Sequence, residues 1–354
     1  MTYSQFLLCM CFAIYFFFSF FIWNWGENFF YLSTTALFLF VCSIILLTIE
    51  EKKMLLKVVS NVLRLLLLIS IFGWILFLVG FDLPHSDIIY HPNGFHQYYD
   101  YYFFRLGAKS DDVYDMILPR FSGIFLEPGQ LGTPCAFLFF LNGSRFNKKN
   151  IVYIIAIFLS FSLAAFGLFF WCIISRMIIT SKHLFLYFSL GLILFCGTAY
   201  YFTQFESEDN PLNMFLFSRL EYDDEKIIAG NNRTSSFFDR KFDKFMDSSD
   251  CYLGIRSNLK EGNDWTYNCS GYKKALVHYG IIGFIAFMLF VFLLFIFHRS
   301  RESFLFFILI ITAHFIRNLL NTPLWLSIAI IGFYIMQIRN VTEKTPLYET
   351  KNVI

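Results

Sequence analysis

Charge is scarce in this chain. Asp, Glu, Lys and Arg make up only 15% of its 354 residues and leave a net charge of +2, with no basic arm or tail, which argues against a nucleic-acid partner. Metal-ligand patterns are missing too. No His pair stands at helical ligand spacing with a carboxylate, and the acidic doublets Asp111 with Asp112 and Asp223 with Asp224 are of the kind usually solvated on loops, so no metal or other cofactor is expected. No Ser or Cys carries a recognisable nucleophile motif. The N-terminal stretch "MTYSQFLLCMCFAIYFFFSFFIW" lacks the positive n-region and small-residue cleavage site of a signal peptide, and is expected to be a first span. No internal repeat or low-complexity linker divides the chain, which predicts one polytopic membrane domain over residues 1–354.

Apolar residues, by contrast, exceed what one soluble core could use: 57% of the chain is hydrophobic and 50 residues are Phe. The fold class expected is an all-α integral membrane protein. A crossing helix needs roughly 20 apolar residues, and candidates fall near residues 5–22, 29–49, 62–81, 121–141, 184–204, 274–297, 303–320 and 324–339. Residues 151–180 are long for one upright span and short for two.

Charge asymmetry decides that stretch. Short cytoplasmic loops collect Lys and Arg, and the basic connections are Lys52, Lys53 and Lys57; Arg145, Lys148 and Lys149; Arg176 and Lys182; and Arg299 with Arg301. All can face the cytoplasm together only if residues 151–180 cross twice, with a tight turn near residues 160–167. The expectation is therefore about ten crossings, both termini cytoplasmic, and two long external loops, residues 82–119 and 205–273.

The first loop interleaves Asp with Tyr, Phe and His, including Tyr98 and Tyr101. Aromatic faces stack on sugar rings while carboxylates accept their hydroxyls, so a carbohydrate partner and an interfacial aromatic belt both remain open. The second loop spreads Arg219, Arg233, Arg240 and Arg256 along its length. The forked guanidinium suits a diphosphate. Arg240 stands beside Asp239 and Asp243 and reads as a surface pair, whereas Arg233 has no acidic residue within several positions. Cys251 and Cys269 alone lie in this loop, where the compartment permits a disulfide, and closing it would add about 3 kcal/mol by loop entropy.

The stretch "RFSGIFLEPGQLGTPCAFLFFL" places Arg120, Glu127 and Pro128 at or inside an apolar segment. Ionisable groups at membrane depth normally face a bundle interior or a water-filled cavity. Proline at such depth is tolerated mainly where the broken helix lines a protein cavity. Were the helix continuous, Arg120 would lie two turns from Glu127 on one face.

This motif resembles the Arg, Gly, Glu-Pro signature of Wzy-type O-antigen polymerases, within the superfamily of O-antigen polymerases and ligases. The long loop with "GNNRT", the "SGYKKALVHYGIIGF" leading into a late helix and the small-residue stretch "FLSFSLAAFG" match as well, so the resemblance runs from Arg120 to Arg317. One departure is "YNCSGY", which offers no His where many ligases place one. The resemblance implies a glycosyltransferase at the periplasmic face of the cell inner membrane. It would move a growing glycan from undecaprenyl diphosphate onto another lipid-linked repeat unit, without a cofactor, beside a chain-length regulator protein. Arg120 and Arg233 would hold the diphosphate, and Glu127 would either accept the proton of the attacking hydroxyl or orient an arginine. Arg256, Arg219, His314, Arg317, Tyr98 and Tyr101 are further substrate-binding candidates. An O-antigen ligase and a lipid-linked oligosaccharide flippase or other transporter are the alternatives.

Two outcomes follow from these patterns. Alkaline phosphatase fused at Asn232 is expected to be active and at Lys149 inactive; the reverse would overturn the loop assignment. Cys251 and Cys269 are expected to resist a thiol reagent until reduced, and their labelling without prior reduction would count against the bridge.

Overall fold

The computed structural model describes residues 2–17, 28–90, 97–107, 119–180, 236–255, 271–317 and 323–344. Among them the chain is mostly helical, with α1 (Tyr3–Phe17), α2 (Asn28–Leu46) and α3 (Ile49–Leu78), then strands β1 (Ile89–Tyr90), β2 (Gln97–Asp100) and β3 (Arg105–Gly107). There follow α4 (Pro128–Leu141), α5 (Ile151–Leu159), α6 (Leu163–Thr180), α7 (Ser236–Met246), a 3-10 turn at Ser249–Cys251, α8 (Tyr272–Phe297), α9 (Arg301–Ile316) and α10 (Pro323–Lys344). Three of these helices, α3, α6 and α8, are long and apolar enough to cross a membrane. The expected span at residues 184–204 lies outside the described residues.

The chain divides into two compact units. One holds Met1–Val58, Arg240–Thr266 and Gly271–Ile354, and the other holds Val59–Asp239 with Tyr267–Ser270. In the first, α1 packs on α2 and α8, α2 on α10, and α9 on α8 and α10. Its core is aromatic: Phe12 meets Phe290 at 5.0 Å, Tyr15 meets Tyr279 at 5.7 Å, and Phe306 meets Phe333 at 5.4 Å.

In the second unit α4 is the centre. From Gly129 to Leu141 all but Gln130 are buried, the mark of a helix enclosed on all sides. It packs on α5 and on α6. Gly132 makes the second contact possible, since any β-carbon there would fall inside Ala165. Further along, Arg176 Nη1 donates to the Gly143 carbonyl at 2.6 Å, so α4 and α6 run parallel and α5 returns between them. At that end Asn142 Nδ2 donates to Asn150 Oδ1 at 2.9 Å, and the connecting residues 145–149 are exposed.

Residues 151–180 do break into two helices. The turn is residues 160–162, with Phe161 at φ 43° and the Ser160 hydroxyl donating to the Ile157 carbonyl at 2.6 Å. The nine residues of α5 rise about 14 Å, roughly half of a hydrocarbon core. Residues 121–127, expected to be part of a span, are not helical.

The three strands form an antiparallel sheet in the order β1-β2-β3, with Tyr98 opposite Ile89 and Gly107 and Asp100 opposite Arg105. In the first unit α8 is broken at Gly280, whose φ 64° and ψ 178° lie in a region essentially reserved for glycine. The break admits the 251–255 segment: Ile255 N–H donates to Val277 at 2.7 Å and Ile282 N–H to Tyr252 at 3.2 Å. A β-carbon at Gly280 would strike the Tyr252 carbonyl. Gly280→Ala is therefore expected to lower stability by about 1–3 kcal/mol, read as an earlier thermal transition of the purified protein in detergent. An unchanged transition would mean that the segment does not seat in the break.

Candidate functional site

The Glu-Pro pair starts a helix instead of interrupting one. Proline disfavours helical backbone in the residue before it but fits the first helical position, where its missing N–H is not needed. Glu127 is accordingly extended, at φ −134° and ψ 144°, and Pro128 opens α4. The Glu127 carbonyl then accepts from Gln130 at 3.0 Å and Leu131 at 3.4 Å, so the ladder begins at the acid itself. This corrects the shared helix face expected for Arg120 and Glu127: the two bracket a stretch of irregular chain ending at the N-terminus of α4.

That stretch is held on two sides. Toward the α5–α6 turn, Phe121 N–H donates to the Leu159 carbonyl at 3.0 Å and Arg120 Nε donates to the Ser160 carbonyl at 3.1 Å. Toward the sheet, Arg105 N–H donates to the Gly123 carbonyl at 2.9 Å and the Ser122 hydroxyl donates to the Arg105 carbonyl at 2.7 Å. Gly123, at φ 55°, makes the bend that serves both. Phe121 is buried and meets Trp74 of α3 at 5.8 Å, ring to ring. The buried indole N–H of Trp74 has no acceptor among the described residues. Arg120 and Glu127 are both half-buried.

The sheet adds charge and aromatic surface to the same unit. Arg105 pairs with Asp100 at 3.2 Å and stands 5.1 Å over the Tyr98 ring. Arg105 escaped the sequence reading because its partners are set by strand register rather than by a motif. Tyr101 has a packing role in this structure: it is buried, stacked on Phe104 at 4.7 Å and against Phe77 at 5.4 Å.

His314 and Arg317 belong to the other unit. His314 is fully buried against Phe287 at 4.7 Å and Phe284 at 5.6 Å, so it is packed among rings rather than displayed. Arg317 ends α9, its N–H donating to Ala313 at 2.7 Å, and Gly271 before α8 abuts the Phe315 and Ile316 carbonyls. Arg219, Arg233, Arg256 and Cys269 lie outside the described residues, as do Asp111, Asp112, Asp223 and Asp224. Cys251 closes the 3-10 turn as a buried free thiol. Among the described residues no group of His, Cys, Asp and Glu is arranged to hold a metal ion.

Lys52, counted in the sequence as a loop cation, is instead 1% exposed in the first turn of α3. Its ammonium donates to the Ile45 carbonyl at 2.9 Å and to that of Leu47, so it caps the C-terminus of α2. It lies 4.1 Å over the Tyr334 ring, which in turn meets His298 at 3.9 Å. Burial holds the His298 imidazole below its ordinary pKa, opposed by its 2.8 Å contact from Nδ1 to the Leu294 carbonyl and aided by Lys52.

The chain matches no protein-family model, no curated protein and no solved structure.

Proposed function

We propose that this protein is a surface-polysaccharide polymerase of the O-antigen type. It transfers a growing glycan from undecaprenyl diphosphate onto a lipid-linked repeat unit at the periplasmic face of the inner membrane. One observation carries the reading beyond the motif that suggested it. Arg120 and Glu127, the two charged residues of "RFSGIFLEPG", flank one irregular segment at the N-terminus of the buried helix α4. The positive end of a helix, in the same segment as a half-buried cation, suits an anionic leaving group.

The chemistry asks for little else. As the bond from the anomeric carbon to the diphosphate breaks, negative charge grows on the lipid diphosphate. Fixed guanidinium groups stabilise that charge without reorganising. In this proposal Arg120, anchored through Nε, and Arg233 contact the diphosphate, and Arg219 adds positive charge. Glu127 either takes the proton of the incoming hydroxyl or orients an arginine. Tyr98, beside Arg105, offers a face for a sugar ring. The proposed topology has about ten crossings, with both termini cytoplasmic and residues 205–273 periplasmic. A chain-length regulator is the proposed protein partner. Broken helices also mark transporter sites, and the interruption of α8 at Gly280 favours a lipid-linked oligosaccharide transporter as the second reading.

A deletion strain distinguishes the two. Lipopolysaccharide carrying a single repeat unit supports the polymerase, whereas core with no glycan attached supports a transporter or a ligase. In complementation, Arg120→Lys and Arg233→Lys are expected to lose long chains nearly as fully as the alanine variants, by roughly a hundredfold, because lysine keeps the charge without the fork. Glu127→Gln should also fail, while Arg240→Ala, on the exposed face of α7, and Asp112→Ala should restore long chains. Normal ladders from well-expressed Arg233→Ala or Glu127→Gln protein would remove these residues from the mechanism.

A further inference from the structure

The first long loop does not simply lie above α3; it folds back along it. The turn joining β2 to β3 is Tyr101, Tyr102, Phe103 and Phe104, and the Ser70 hydroxyl, in the middle of the apolar half of α3, donates to the Phe103 carbonyl. Gly73, one turn on, gives room for the Phe104 ring, and Phe77 meets both Phe104 and Tyr101. Ser70 is eight residues short of the end of α3 at Leu78, or about 12 Å along the helix axis.

Depth can be measured from the other end. Tyr153, near the start of α5, shares hydrogen bonds with Ser60 of α3, its hydroxyl donating to the Ser60 carbonyl at 2.9 Å. Ser70 therefore stands about 15 Å beyond the level of Tyr153, and about 20 Å beyond the exposed basic turn at residues 145–149. With that turn at one water surface of a hydrocarbon core about 30 Å thick, the hairpin tip is well below the other.

The tip has the chemistry for such a place. Turns in water favour Gly, Asn, Asp and Pro, whereas this one is four aromatic residues, with Tyr102 at φ 66° in the left-handed region. Tyr102 is 68% and Phe103 57% exposed. Three of its four backbone donors are satisfied within the protein: Tyr101 N–H reaches the Phe104 carbonyl at 2.9 Å, Phe103 N–H the Tyr101 carbonyl at 2.8 Å, and Tyr102 N–H the Asp100 carboxylate at 2.8 Å. Hydrocarbon demands that, and water does not. Within the described residues of the hairpin, charge returns at the Asp100–Arg105 pair, at the mouth of the turn.

We infer that the β2–β3 hairpin is a re-entrant element whose tip, Tyr102 and Phe103, is embedded in the acyl chains of the leaflet opposite the 145–149 turn. Residues 101–104 are then not part of an extramembrane loop, and β3 carries the Arg120–Glu127 segment with it below the membrane surface. The inference rests on geometry and holds whether or not the protein is a polymerase.

Spin labels at Tyr102→Cys, Phe103→Cys and Asp82→Cys in the full chain, reconstituted in phosphatidylcholine vesicles, test it after subtraction of the labelled unsubstituted chain. At 102 and 103, collisions with dissolved oxygen are expected to exceed those with a water-soluble nickel chelate severalfold, with the opposite order at 82. Chelate access at 102 and 103 equal to that at 82 would overturn the inference, because the tip would be in water. Low access to both reagents would overturn it too, because protein and not lipid would cover the tip.

Discussion

Backbone that is neither helix nor closed sheet must find hydrogen-bond partners wherever water is excluded, and the second unit is organised by that demand. Residues 119–127 are irregular, yet the α5–α6 turn takes their bonds on one side and β3 on the other. Each partner is itself an interruption: α5 ends early at Leu159, and β3 belongs to a hairpin lying against α3. Three breaks in regular structure satisfy one another, so none could be straightened alone without orphaning the others.

The same constraint explains where charge is tolerated. Arg120 is tied through Nε to a helix-end carbonyl, Arg105 is neutralised by Asp100, and Lys52 sits on the last carbonyls of α2 under the Tyr334 ring. Removing one member of such a group leaves a costly buried charge or carbonyl. A variant at any of them must therefore be checked for folding before it is read as a loss of function.

Glycine does related work at two places. Gly132 brings α4 and α6 close enough to make α4 wholly interior, and Gly280 lets the 251–255 segment occupy the gap in α8. In one unit glycine lets two helices meet closely, and in the other it lets a long apolar helix carry irregular chain in its break. Such a scaffold presents polar groups within an otherwise aromatic interior.

Much was legible without coordinates. Composition and run length pointed to a mostly helical chain with apolar helices long enough for a membrane, because its apolar content exceeds what one soluble core can bury. Basic loops together with length placed a break in residues 151–180, found at 160–162, and Arg176 comes back to the Gly143 carbonyl next to the exposed 145–149 turn. The motif singled out Arg120 and Glu127 as members of one segment. Tertiary structure alone decided the rest. Hydropathy counts apolar residues but cannot see hydrogen-bond partners, so it extended a span through residues 121–127 where the chain is held by β3 and the α5–α6 turn. It likewise treated Lys52 as a solvated loop charge, because the carbonyls of Ile45 and Leu47 and the ring of Tyr334 reach it only once the chain has folded. The aromatic run at residues 101–104 was read as part of an external loop for the same reason: its depth is set by the bond between Ser70 and Phe103, residues 33 positions apart in sequence and neighbours only in space.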